Sequence, residues 1–219
     1  MARAKRPGLR KLIAMCPHMK SIHERFGSPP PRVREPGFDV LLRIIVDQQV
    51  SVQSGAAIWR RLEESLLDVT PVTVLKAGET GLRSCGFSGA KARYGTGLAE
   101  AIVSGQLDLE NLYRKSDANA MAELIQIKGI GRWTAEIYLM FALGRPNLWP
   151  AGDLAVAAAA GHLLGWENRP TPDELDEIGE RWRPYRTTAA VMLWHYYRHI
   201  KSGFGGMPGQ KIDKSNFKK

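Results

Sequence analysis

The sequence predicts an all-α protein, and three observations carry that expectation. Apolar residues recur at helical spacing: Phe38, Leu41, Leu42 and Ile45 fall at i, i+3, i+4 and i+7. Ile58, Leu62 and Leu66 make a second stripe, and Ala190, Leu193, Trp194 and Tyr197 a late one. Helix starts are written into the chain as well. Thr171-Pro-Asp-Glu174 supplies a capping threonine, a proline for the first helical position and a glutamate able to close a capping box. Thr70-Pro71 follows the same logic. Finally, the Val-rich alternating runs that mark strands are scarce.

Taken in order, a short N-terminal segment leads through GSPPPRVREPG (27–37) to the first long helix. CGFSGAKARYG (85–95) reads as a Gly-rich, basic break between helices, and GRPNLWPAG (144–152) as another. SGFGGMPGQ (202–210) opens a tail whose composition predicts disorder. No repeat of fixed period is present.

With 219 residues, 44% of them hydrophobic, the chain can bury one large or two small cores. Cys16 and Cys85 are its two cysteines, which excludes a disulfide framework, a CxxC zinc pair and a four-cysteine iron–sulfur cluster. The formal net charge of +9 is concentrated at the ends. Arg3, Lys5, Arg6, Arg10 and Lys11 give +5 over residues 1–11; Lys201, Lys211, Lys214, Lys218 and Lys219 against Asp213 give +4 over 201–219. Basic arms suit a polyanion such as nucleic acid, and they equally suit solubilising tails. The apolar run LIAMC after the basic start is too short for a secretion signal, and no run approaches the ~18 apolar residues of a membrane span. The expectation is a soluble, cytoplasmic protein.

The most informative stretch is IKGIGRWTAE (127–136). MAELIQI (121–127) has helical spacing, Lys128-Gly129-Ile130-Gly131 turns the chain, and a second helix follows to about Leu143. Glycines allow backbone angles and close approaches that a side chain forbids. The second helix would present its unpaired N–H groups and positive dipole end just past the turn, a ready anion site to which Lys128 and Arg132 add charge. Taken alone, the turn fits an ordinary helical hairpin equally. Two features point further. Asp153, twenty residues beyond Trp133, stands at the mouth of an Ala-rich helix, where it can cap the helix and project outward. Gln48 and Gln49 interrupt an apolar helix, where a DNA groove or a surface turn would satisfy them.

Together, IIVDQQVSVQSGAAIWRRL (44–62), CGFSGAKARYGTGLAEAI (85–102), LIQIKGIGRWTAEIYLMFALG (124–144) and WPAGDLAV (149–156) resemble the helix–hairpin–helix DNA glycosylases. Within that superfamily the likeness is to the alkylpurine branch, DNA-3-methyladenine glycosylase II, over roughly residues 36–200. The resemblance implies two helical lobes with the active-site cleft between them. Residues 36–145 would form the middle lobe, with the hairpin at about 121–143; residues 1–35 and 146–201 would form the other, and 202–219 a basic tail.

It also implies a partner, double-stranded DNA containing a damaged base, and a monomer that needs no membrane. Lys128, Gly129, Gly131, Arg132 and Thr134 would grip the backbone, with Gln48, Gln49 and Ser51 at a second contact and Gln49 as the wedge. No cofactor is implied, save a structural monovalent cation (sodium or potassium) on the carbonyls of Ile125, Ile127 and Ile130. Asp153 would be catalytic. A base alkylated at N3 or N7 is cationic, so an aromatic wall favours it; Trp133, Trp194, Tyr138 and Tyr197 are the candidates. Bifunctional members carry a lysine where this chain has Trp133, so strand cleavage through a Schiff base is not expected. Asp47 stands where the family usually has a small residue. A non-catalytic helix–hairpin–helix DNA-binding protein, or the same fold acting on an oxidised or mismatched base, remains an alternative at this point.

Overall fold

Helix α3 (Phe38–Asp47) is apolar apart from one edge formed by Asp39, Arg43 and Asp47, and so wide an apolar face must be covered by other helices. The structure, a computed structural model describing residues 8–31 and 34–201, encloses it between α4 (Val52–Leu66), α6 (Gly89–Val103) and α8 (Arg132–Phe141). Leu41, Leu42 and Ile45 are fully buried, at about 1.5–3 kcal/mol each. With α5 (Pro71–Ser84), a short 3-10 turn (Leu112–Arg114) and α7 (Asp117–Ile125), these helices make up one compact unit, residues 33–144. Thr70 caps α5 as its sequence predicts, in a reciprocal box closed by Thr73.

The break expected over 85–95 is shorter than its glycines suggest. Ser88 caps α6 by accepting from the Lys91 amide, and the helix starts at Gly89. Gly95 serves packing inside that helix: a β-carbon there would lie 3.1 Å from Leu42 and 3.2 Å from Leu82.

The second unit joins residues 1–32 to 145–219. It holds α1 (Leu9–Met15), α2 (Pro17–Phe26), α9 (Leu154–Leu163), α10 (Pro172–Glu180) and α11 (Arg186–His199). Its centre is α11, which packs on α9, α2 and α1 and buries Ala189, Ala190, Met192, Leu193 and Tyr196. The small side chains of Ala-rich α9 let it lie close to α11. The Thr171 capping box at α10 forms as written: the Thr171 amide donates to Glu174 Oε2 (2.9 Å) and the Glu174 amide to Thr171 Oγ1 (3.3 Å).

Both cysteines are free thiols, Cys85 buried and Cys16 half-buried. Among the described residues there is no strand, and no helix is long and apolar enough to cross a membrane. Arg3, Lys5, Arg6 and the tail 202–219 lie outside the described residues.

Candidate active site

The hairpin is built from α7 and α8 around a turn anchored by two buried isoleucines, Ile127 and Ile130. The Ile127 amide closes on Leu124 O (3.1 Å) and the Ile130 amide on Ile127 O (3.0 Å). The two glycines have different jobs. Gly129 sits at φ 95°, and a β-carbon there would lie 2.3 Å from the Tyr94 ring, so both conformation and packing require glycine. Gly131, the N-cap of α8, has an ordinary φ of −89°, and no atom of the chain lies within 4 Å of where its β-carbon would be. No side chain caps α8, and Lys128 in the turn is exposed. Arg132 is paired to the buried Glu136 (Nε to Oε1, 2.9 Å), which offsets its charge. Thr134 was expected to touch DNA, but its side chain is buried and accepts a hydrogen bond from Gln48 Nε2 (2.8 Å).

Gln48 uses its amide within the protein: it donates to Thr134 and to Gly129 O (3.1 Å), tying the α3–α4 turn to the hairpin. Gln49 is exposed, at φ 54°, one of two non-glycine residues with positive φ among those described. Ser51 caps α4 by accepting from the Ser54 amide (3.1 Å). Asp47 also finds its reason here. It pairs with Arg43 (3.0 Å), whose guanidinium lies 5.3 Å from the centroid of the Trp59 ring, and Gly55 leaves room beneath it, since a β-carbon there would sit 2.2 Å from Asp47 Oδ1. Lys91, which sequence reasoning passed over within a basic loop, bonds Val46 O (2.7 Å) and Gln48 O (2.6 Å). Burial pulls the Lys91 ammonium below its usual range while the Asp47 carboxylate pushes it up. Nothing in the local pattern marks it, because its partners lie more than 40 residues away.

Asp153 lies in the other unit, as the N-cap of α9. Its Oδ1 accepts from the amides of Ala155 and Val156 (both 2.9 Å) and from the indole of Trp194 (3.0 Å). Three donors therefore fix one oxygen, at the helix end whose dipole favours a negative charge. Trp194 thus orients the carboxylate besides offering a half-buried ring; Tyr197 is half-buried on the same helix. Trp133 is half-buried one position into α8 from Arg132. Tyr138 is a correction: its ring is fully buried, so it packs the core of its unit and cannot line an accessible pocket. Burial pushes its phenol up to about 12, partly offset by the Gly37 backbone. No group of three or more His, Cys, Asp or Glu that could hold a metal occurs among the described residues.

Comparison with known proteins gives this pair of helical units a family. Residues 42–184 match the model of the HhH-GPD superfamily base excision DNA repair protein, and the chain belongs to that family. DNA-3-methyladenine glycosylase 1 of Schizosaccharomyces pombe is 33% identical over 165 residues, 74% of this chain and 72% of that one. The Bacillus subtilis protein YfjP is 28% identical over 80% of this chain, which spans only 64% of its length. Among solved structures, S. pombe 3-methyladenine DNA glycosylase (Mag1) in complex with abasic DNA aligns with a TM-score of 0.80 at 30% identity, covering 87% of this chain and 96% of that one.

Proposed function

We propose that the protein is a monofunctional DNA glycosylase. It hydrolyses the N-glycosidic bond of alkylated purines of the 3-methyladenine type in duplex DNA, as a monomer, in base excision repair. The observation that carries the reading is the Asp153 carboxylate, held by two α9 amides and the Trp194 indole.

The chemistry follows from charge. A base inside a duplex must be flipped out before it can be reached, and Gln49 at its exposed turn is the side chain suited to fill the gap. The exposed Lys128 ammonium and the positive dipole end of α8 suit a backbone phosphate. An alkylated purine is already cationic, so it leaves as a neutral base without a strong general acid. Trp194, bonded to Asp153, offers it an aromatic face, worth up to about 2 kcal/mol when desolvated. As the C1′–N bond lengthens, the sugar gains oxocarbenium character, and Asp153 stabilises it and orients the incoming water. Water forms the new C1′–O bond, its proton passing to the carboxylate or solvent. Trp133 cannot form a Schiff base, so the product is an intact abasic site.

The carbonyls of Ile125, Ile127 and Ile130 are neutral hard donors at one turn, and the Ile127 oxygen keeps a second lone pair beyond its bond from Ile130. They suit a monovalent cation that would stiffen the hairpin against phosphate.

The decisive experiment is release of free base from duplexes carrying one defined lesion each. N3- and N7-alkylpurines should be released; preferential release of an oxidised or mismatched normal base, or of none, would overturn the reading.

A further inference from the structure

The turn that carries Gln49 is held by a residue the reaction itself does not use. Helix α3 ends at Asp47, and a helix end leaves carbonyls without partners and a partial negative charge. Lys91, reaching from the first turn of α6, meets both needs through Val46 O and Gln48 O. The second bond has a consequence beyond capping. Gln48 O belongs to the peptide plane that also contains the Gln49 amide nitrogen, and the orientation of that plane about the Gln49 Cα sets φ of Gln49. Left-handed φ is unfavourable for a non-glycine residue, so at an exposed tip something must hold it. The same α6 start carries Tyr94, against which Gly129 turns, and the Gln48 amide bridges to Gly129 O and Thr134. Arg43 and Asp47 close the network from the α3 side.

We propose that Lys91 is a positioning residue for base extrusion. Its ammonium fixes the peptide that holds Gln49 in its left-handed, outward conformation, and Gln48 locks that turn to the hairpin, so that wedge and phosphate grip act as one body. This rests on the reading of Gln49 as the wedge in a glycosylase. Lys91 spends its charge on carbonyls of its own chain, so it contributes to flipping without contacting phosphate.

The test compares the full-length protein with Lys91→Met, Lys91→Arg and Gln49→Ala. The substrate is a duplex holding one N7-methylguanine, paired with cytosine or mispaired. Single-turnover base release by Lys91→Met should fall about tenfold or more on the paired lesion and only a few-fold on the mispaired one, where extrusion is cheaper. Gln49→Ala should show the same substrate pattern, and Lys91→Arg, which keeps a cationic donor, should recover part of the loss. Affinity for undamaged duplex and its salt slope should stay unchanged in Lys91→Met, because a lost phosphate contact would lower the slope by about 0.9. A lowered slope, or equal losses on both lesions, would overturn the assignment. If Gln49→Ala is defective on the paired lesion while Lys91→Met is not, the positioning role fails and the wedge stands. If Gln49→Ala is as active as the wild type, wedge and positioning role fail together. A folding defect would show as a lowered unfolding temperature with equal losses on both substrates, which counts against the proposal.

Discussion

Replacing Asp153 with asparagine removes one charge and almost nothing else. Asparagine keeps an acceptor oxygen where Oδ1 takes the amides of Ala155 and Val156 at 2.9 Å and the Trp194 indole at 3.0 Å. Asp and Asn rank alike as helix caps, so the cap itself survives, and the lost attraction to the α9 dipole is worth about 0.3–1 kcal/mol. At about 2–4 °C per kcal/mol for a chain of this size, the unfolding temperature should drop by no more than about 4 °C. Catalysis should suffer far more. Removing one preorganised electrostatic stabiliser costs about 2.7–4 kcal/mol of barrier, a fall of about 10²–10³ in single-turnover base release. Asp153→Ala is the contrasting variant. It also loses the cap, about 0.5–2 kcal/mol, and strips the Trp194 indole of its acceptor, so both stability and rate should fall. The assay is single-turnover release from an N7-methylguanine duplex, with duplex affinity measured alongside. If the asparagine variant binds DNA normally and keeps more than about a tenth of the wild-type rate, equivalent to less than about 1.4 kcal/mol of barrier, Asp153 is not the catalytic carboxylate.

Product DNA should stay uncut until alkali is added, and borohydride should trap no covalent adduct, because the position after Arg132 is Trp133 and the nearby Lys128 lies in the turn; efficient trapping would place another lysine at the sugar. Replacing potassium or sodium with a bulky organic cation at constant ionic strength should weaken duplex binding if the Ile125, Ile127 and Ile130 carbonyls hold a cation; unchanged affinity would remove that ion from the account. His18 is held below its ordinary value of 6.5, first by burial and then by the Arg181 guanidinium. The unfolded chain therefore takes up the proton first as pH falls, so this contribution is present above 6.5 and is lost as the solution is acidified through the depressed folded value. His18→Gln should flatten the decline of unfolding temperature between about pH 7 and 5; an unchanged profile would show that His18 does not contribute.

What the sequence determined by itself are the features whose causes lie within one or two helical turns. The Thr171–Glu174 box, the apolar stripe of α3 and the cap at Asp153 all depend on neighbours no more than a few residues away, and each can be read from the chain. The tertiary structure decided the rest. Periodicity says that a side chain faces inward, not which partner it meets there. Tyr138 and Trp194 have equally helical spacing, yet one fills a core and the other holds a carboxylate 41 residues away. Gln48 has the composition of a DNA contact and spends its amide on Thr134, 86 residues on; Lys91 looks like loop charge and fastens carbonyls across 43 to 45 residues. The left-handed Gln49 makes sense only beside those partners, because a strained backbone is stable only where distant segments meet to hold it.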